Sequence, residues 1–299
     1  MNSARIKAYI MLLFVNLIWG IASPIIKYTL KGFEPTVFLT YRYFYAAILG
    51  LIIYFFTKFK FPKKGSDFLL LILYGFLNSV VSLGMLFFGM QNTTVLDMSL
   101  ITLVGPLIVS IAGVYYLNER VTHREKIGMA IAIVGTLITV LEPIYLNGGN
   151  AIKFSGNLLV FGYVFNSMIT TIIAKKLLRA NVNPLTIVNT SFTIGFISFL
   201  SYSLFENKIN VEAIVNTPLS FHLGVLYMAV ISGTIGFYLS NKAQKTIEIS
   251  EQSLFSYLAP IFSMPIAILW LGEKITPVFI VGAIIIALGV FIAEVKKRS

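Results

Sequence analysis

Leu117-Asn118-Glu119-Arg120-Val121-Thr122 and Leu271-Gly272-Glu273-Lys274-Ile275-Thr276 are two versions of one phrase, 154 residues apart. At the same offset and without a gap, Pro106 falls on Pro260, Gly128 on Gly282 and Gly135 on Gly289. The basic residues around the phrase are not repeated. Arg124 and Lys126 become Val278 and Ile280, whereas Gln91 becomes Lys245. A duplicated unit that exchanges its positive charges end for end is what a membrane protein needs when its two halves insert in opposite senses.

The composition agrees with a membrane setting. Apolar residues make up 57% of the 299 positions and charged residues 12%, against roughly 25% charged in ordinary soluble domains. The net charge of +11 sits in short clusters between apolar runs, as in loops facing anionic lipid, and forms no basic face of the kind that reads nucleic acid. No nucleic-acid partner is expected. The chain lacks cysteine, which removes disulfides, thiolate chemistry and cysteine-based metal sites. No cofactor or metal is expected. The first apolar stretch runs past Trp19 to about Lys27, so it reads as a retained span rather than a cleaved signal.

Runs long enough for a hydrocarbon core about 30 Å thick lie near 8–27, 36–56, 68–90, 96–117 and 127–146, then near 155–178, 185–205, 219–240, 252–271 and 278–295. Breakers such as Pro35, Pro62, Pro184, Pro218 and Pro277 fill the gaps. Ten spans put both termini on one side. With the termini inside, 17 basic residues fall in cytoplasmic segments and 5 outside, with Arg42 within a span, which is the positive-inside pattern. The expectation is an all-α membrane protein of ten transmembrane helices. They form two inverted five-helix repeats, residues 1–148 and 149–299, with both termini cytoplasmic.

The phrase at Leu271–Thr276, followed by Gly282 and Ala287-Leu288-Gly289, resembles the EamA family of the drug/metabolite transporter superfamily. Its first copy with Gly128 and Gly135 matches too, as do Asn16-Leu17-Ile18-Trp19-Gly20 and Tyr41-Arg42-Tyr43. The resemblance covers nearly the whole chain. It implies a multi-pass carrier of the plasma membrane that moves amino acids, nucleobases, sugars or other small metabolites, often outward. It names no substrate.

Several residues are candidates for the site. Pro106 and Pro260 each leave a carbonyl without its helical donor, on Thr102 and Ser256 respectively, and paired interruptions in corresponding spans point to a transporter's site. A packing kink is the plainer alternative. Arg42 lies about 10 Å below the outer surface at 1.5 Å per residue. It either faces a cavity, where it could hold a carboxylate, or snorkels outward or bonds to helix ends. Polar stripes include Asn16, Trp19, Ser23 and Lys27; Asn78 and Ser82; Tyr163, Asn166 and Thr170; Thr234, Tyr238 and Asn241; and Ser253, Ser256 and Tyr257. Each residue alone reads as helix–helix glue, and together they suggest a cavity for an uncharged or zwitterionic solute. Glu119 and Glu273 are read as carboxylates that anchor the turn before the next span, alongside Gly128, Gly135, Gly282 and Gly289 as structural motif positions. His123 and His222 are expected to be solvated.

Asp97, Glu119, Glu142, Glu251 and Glu273 all lie near span ends, so the deep acid of a proton relay is missing and a carrier without obligatory proton coupling is expected. Exchange of sugar phosphates or nucleotide sugars is the alternative within the superfamily, but it would want several cavity cations, and only Arg42 and Lys27 are at hand. A membrane enzyme lacks the needed nucleophile, base or metal constellation. A sensor, scaffold or channel remains a rival that flux measurements separate. The expected partners are the lipid bilayer and a small-molecule substrate. Small-residue faces at Gly128/Ala132 and Ala283/Ala287 are candidates for helix contact, with a homodimer among their uses.

Overall fold

The computed structural model describes residues 3–57, 61–109, 112, 123–146 and 150–294, and no strand occurs among them. Eight helices are long and apolar enough to cross a membrane. They are α1 (Ser3–Thr29), α2 (Pro35–Thr57), α3 (Gly65–Asn92), α5 (His123–Leu146), α6 (Ala151–Arg179), α7 (Pro184–Phe205), α8 (Leu219–Gln244) and α9 (Ile249–Leu271). Two shorter apolar helices, α4 (Val95–Val109) and α10 (Pro277–Glu294), complete the set, with one exposed turn of helix at Val211–Val215. The second half of the expected fourth span, including Glu119 and its phrase, lies outside the described residues.

Local chemistry sets the boundaries. Thr94 accepts the backbone N–H of Asp97 at 3.0 Å and starts α4. Asn150 accepts from Lys153 N at 3.0 Å at the head of α6. Asn183 accepts from Leu185 N at 2.9 Å just before Pro184, whose missing N–H costs nothing in a first turn. Gly272 ends α9 with φ +69°, a left-handed value that favours glycine. Leu30 to Phe33 close α1 with tight turns before Pro35 opens α2.

The packing is reciprocal. α1 lies on α8 and α9, while α6 lies on α3 and α4; α2 packs on α7, α4 on α9 and α5 on α10. The α5–α10 crossing is the tightest. A Cβ at Gly289 would come within 2.5 Å of Ala132 N and 2.6 Å of Gly128 O, and one at Gly135 within 2.9 Å of Ile286 N. The motif glycines therefore let two backbones touch, the close approach typical of small residues in lipid. The Gly128/Ala132 face is thus occupied within the chain. Outward faces carry Phe55, Phe56, Phe205 and Leu269, all more than three-quarters exposed. Such a continuous apolar exterior suits lipid rather than water.

Several helices depart from α geometry. Phe76–Ser82 in α3 and Tyr227–Gly236 in α8 wind as π-helix. Gly233 fits this widening, because a Cβ there would lie 2.7 Å from Met228 O. In α9 a 3-10 turn, Phe255–Leu258, immediately precedes Pro260. In α4 the bonds from Leu103 N to Leu100 O and from Val104 N to Ile101 O tighten the turn before Pro106. Both prolines thus follow a narrowed turn, while the wide turns at α3 and α8 have no proline signal.

Candidate functional site

Between α1, α3, α4, α6, α8 and α9 lies a cavity of about 260 Å³, with Arg42 of α2 also in its wall. Of the candidates named from the sequence, Asn16, Trp19, Ser23, Arg42, Asn78, Ser82, Thr102, Tyr163, Thr170, Asn241, Ser253 and Ser256 line it. Pro106 and Ala259, the neighbour of Pro260, line it as well. Asn166, Tyr238 and Tyr257 are outside the lining. Asn166 donates to Leu77 O at 2.8 Å and Ser82 Oγ at 2.7 Å, so it holds α6 to the widened turn of α3. The Tyr238 ring sits under Lys242 Nζ at 5.3 Å.

Each wall is built from secondary-structure periodicity. On α1, Asn16, Trp19 and Ser23 recur at helical spacing; Asn16 Nδ2 donates to Leu12 O at 2.8 Å, and Trp19 Nε1 reaches Ser232 O at 3.2 Å. The Trp19 ring packs on Phe237 with centroids 5.3 Å apart. Asn78 donates to Ser191 Oγ at 3.1 Å, which ties the π turn of α3 to α7. On α6 the stripe begun by Tyr163 continues through Ser167, Thr170 and Thr171, and α8 adds Ser232, Ser240, Asn241 and Gln244. Ser167, Tyr74, Ser232 and Gln252 were missed in the sequence. Extending the α6 stripe by one turn would have found Ser167. Ser232 is turned inward by a π-helix that no proline announces.

Arg42 is 1% exposed, so it does not snorkel. Its Cζ lies 5.3 Å from the Phe87 ring centroid, 5.5 Å from Tyr43 and 5.7 Å from Phe192. Its Nε and Nη1 make no hydrogen bond, and no carboxylate lies within salt-bridge distance of it, among the described residues. Lys27 is not a second cavity cation. It leaves the α1 stripe and binds Met90 O at 2.8 Å, Gln91 O at 3.2 Å and Thr93 O at 2.5 Å, capping the C-terminus of α3. Lys175 does the same for α8 through Gln244 O and Ile247 O, both at 2.5 Å.

Two other expectations change, those for Glu273 and His222. Glu273 does not cap its own turn; it accepts Val95 N at 2.8 Å and Leu96 N at 3.0 Å at the head of α4, and Thr276 caps α10 instead by accepting Phe279 N. Asp97 and Glu142 lie near helix ends yet are buried, 3% and 2% exposed, beside Lys153 Nζ at 2.8 and 3.9 Å. Neither lines the cavity. His222 is not free in solvent: Nδ1 lies 3.0 Å from Tyr41 OH and Nε2 3.1 Å from Thr217 O.

An apolar multi-helix shell around a small polar cavity is the architecture of a multi-pass membrane protein with an internal binding site. The chain belongs to the EamA-like transporter family, whose profile matches residues 6–141 and again 154–294. It is 26% identical to the uncharacterized transporter YyaM of Bacillus subtilis (strain 168), over 97% of this chain and 94% of that protein. It is 24% identical to a probable amino-acid metabolite efflux pump of Salmonella typhimurium (strain LT2), over 94% and 92% of the two chains. A protein of the same description in Escherichia coli (strain K12) is also 24% identical, over 96% and 94%. A solved crystal structure shares the fold with a TM-score of 0.64 over 96% of each chain at 14% identity.

Proposed function

We propose that the protein is a plasma-membrane carrier that exports amino acids or related small metabolites by alternating access. Two inverted five-helix halves, residues 1–148 and 149–299, would rock around the cavity with both termini cytoplasmic. The observation that carries this reading is the reciprocal packing around one cavity. α1 sits on α8 and α9 just as α6 sits on α3 and α4, the relation expected of two copies of one unit about a twofold axis in the membrane plane. The double match of the family profile supports the same division. The efflux-pump relatives, described as moving amino-acid metabolites, support that choice of substrate class.

Transport proceeds without obligatory proton coupling in this reading, because the cavity lining among the described residues holds no Asp, Glu or His. Sugar-phosphate exchange is disfavoured, since Arg42 is the one cation in that lining. Counterflow in proteoliposomes tests the carrier. Liposomes preloaded with an amino-acid pool should take up trace labelled amino acid faster than empty ones, with no pH gradient imposed. Uptake indifferent to internal solute speaks for a channel or a scaffold. Uptake that appears only with a pH gradient rules out the uncoupled mechanism.

A further inference from the structure

The polar inventory of the cavity is lopsided. Arg42 is its only Asp, Glu, Lys, Arg or His among the described lining residues. Three aromatic faces surround the guanidinium within 5.7 Å. Each aromatic contact contributes about 0.5–2 kcal/mol, depending on how dry it is. Removing such a cation from water costs several kcal/mol, and much more when no anion accompanies it. The rings thus offset only part of the cost. Two of the guanidinium nitrogens still lack any hydrogen-bond partner among the described residues. A guanidinium fork is complementary to a carboxylate, which it can hold by two parallel bonds.

The cavity offers an amine only neutral acceptors, such as the Thr102 and Ser256 carbonyls and Gln252 Oε1, and no counter-charge. Asn241 Nδ2, a donor, and Gln252 Oε1, an acceptor, are the other unpartnered buried polar atoms on lining residues, while Gln252 Nε2 donates to Ser240 Oγ at 2.9 Å. Arg42 faces Gly233, where a Cβ would lie 3.5 Å from Nη2. Asn241 is eight residues further along α8, roughly 12 Å away at 1.5 Å per residue. The amino group of an α-amino acid sits one carbon from its carboxylate and cannot span that gap. No carboxylate lines the wall near Arg42 to receive it.

We infer that Arg42 makes the cavity a monocarboxylate site, in which the substrate's single carboxylate supplies the missing counter-charge and its amino group is not read. This rests on the carrier reading for its physiological meaning, though the binding step itself does not. Amino acids, 2-oxo acids and other small monocarboxylates then share the site. Amino-acid amides, which keep the ammonium and lose the carboxylate, do not enter. Phosphate esters bring two charges to one cation and bind poorly.

Binding to the purified protein in detergent tests this by calorimetric titration, apart from transport. The probes are leucine, threonine and phenylalanine, each beside its amide and its 2-oxo acid, together with inorganic phosphate. The expected result is that at least one amino acid and its 2-oxo acid bind within a few-fold of each other. Its amide and phosphate should bind at least tenfold more weakly. Arg42→Gln should lose that acid-over-amide preference at least tenfold, and Arg42→Lys, which keeps the charge without the fork, should fall between. Loss of a buried unpaired charge spares the fold, and the acid–amide comparison on the unaltered protein needs no variant. Equal binding of acid and amide overturns the inference, as does full affinity in Arg42→Gln or no binding by any acid in the panel. Binding without counterflow would sink the carrier reading and leave this site standing. Flux of a neutral solute untouched by Arg42→Gln would do the reverse.

Discussion

Glu273 ties the two halves of the sequence together at one point. Its two oxygens accept the N–H groups of Val95 and Leu96, the orphan donors of the first turn of α4, where the helix dipole also favours a negative charge. The repeated phrase therefore serves architecture across a separation of 178 residues, a partner that no local reading of Leu271–Thr276 could supply. Replacing the carboxylate by an amide leaves one acceptor oxygen and removes the charge. Glu273→Gln is expected to cost about 1–2 kcal/mol, the usual worth of a charged helix cap. A lowered melting temperature in detergent, with carboxylate binding at Arg42 retained, is the expected outcome; an unchanged melting temperature contradicts the cap. Arg42 was legible as a residue needing explanation, because a guanidinium within an apolar span always does. Its three-ring enclosure was not, since Phe87 and Phe192 come from distant helices that only tertiary packing brings together. Lys27 misled for the same reason: its place on the α1 stripe says nothing of the α3 carbonyls waiting beside it.

At the scale of helices, periodicity and breakers located the apolar segments: eight of the ten expected spans fall on helices long enough to cross a membrane, and the other two, α4 and α10, are shorter among the described residues. The apolar runs, the prolines opening α2 and α7 and the left-handed Gly272 are local signals, and local signals survive folding. The wide turns in α3 and α8 left no such mark, because a π turn needs only small residues that relieve crowding, and serines and glycines also serve as helix glue. These turns carry Asn78, Ser82 and Ser232 to the cavity wall, so the sequence showed the polar stripes without the geometry that aims them. The glycines of the repeated motif did indicate close contact, and α5 with α10 realises it. At Gly289 a side chain would meet backbone atoms of Ala132 and Gly128, which cannot rotate away. Gly289→Leu is expected to force the pair apart at a cost of about 1–3 kcal/mol or more, as overpacking does. Its measure is a sharp fall in the monodisperse fraction on size-exclusion chromatography, against an unaffected control at exposed Leu288. A monodisperse, thermally unaltered Gly289→Leu would contradict a tight α5–α10 contact.

For the whole molecule, reciprocity is the organising fact. Lys27 closes the C-terminus of α3 and Lys175 that of α8, and each basic cap comes from the first helix of its own half, so the same contact is made once in each half. Such paired arrangements suit a body with two nearly equivalent packings, one open at each end, exchanging on the microsecond-to-second scale of large collective motions. The charge asymmetry between the copies is what points to inversion, while the cavity wall emerges only from helices that are far apart in sequence. The absence of cysteine makes the decisive measurement simple. Thr102, on the cavity wall beside the break in α4, is replaced by cysteine as the molecule's sole thiol. Right-side-out and inverted membrane vesicles are then each exposed for minutes to a membrane-impermeant maleimide. Alternating access predicts labelling in both preparations, slowed in both by a saturating monocarboxylate. Labelling from one face alone, however long the exposure, would contradict a cavity that opens in turn to each side.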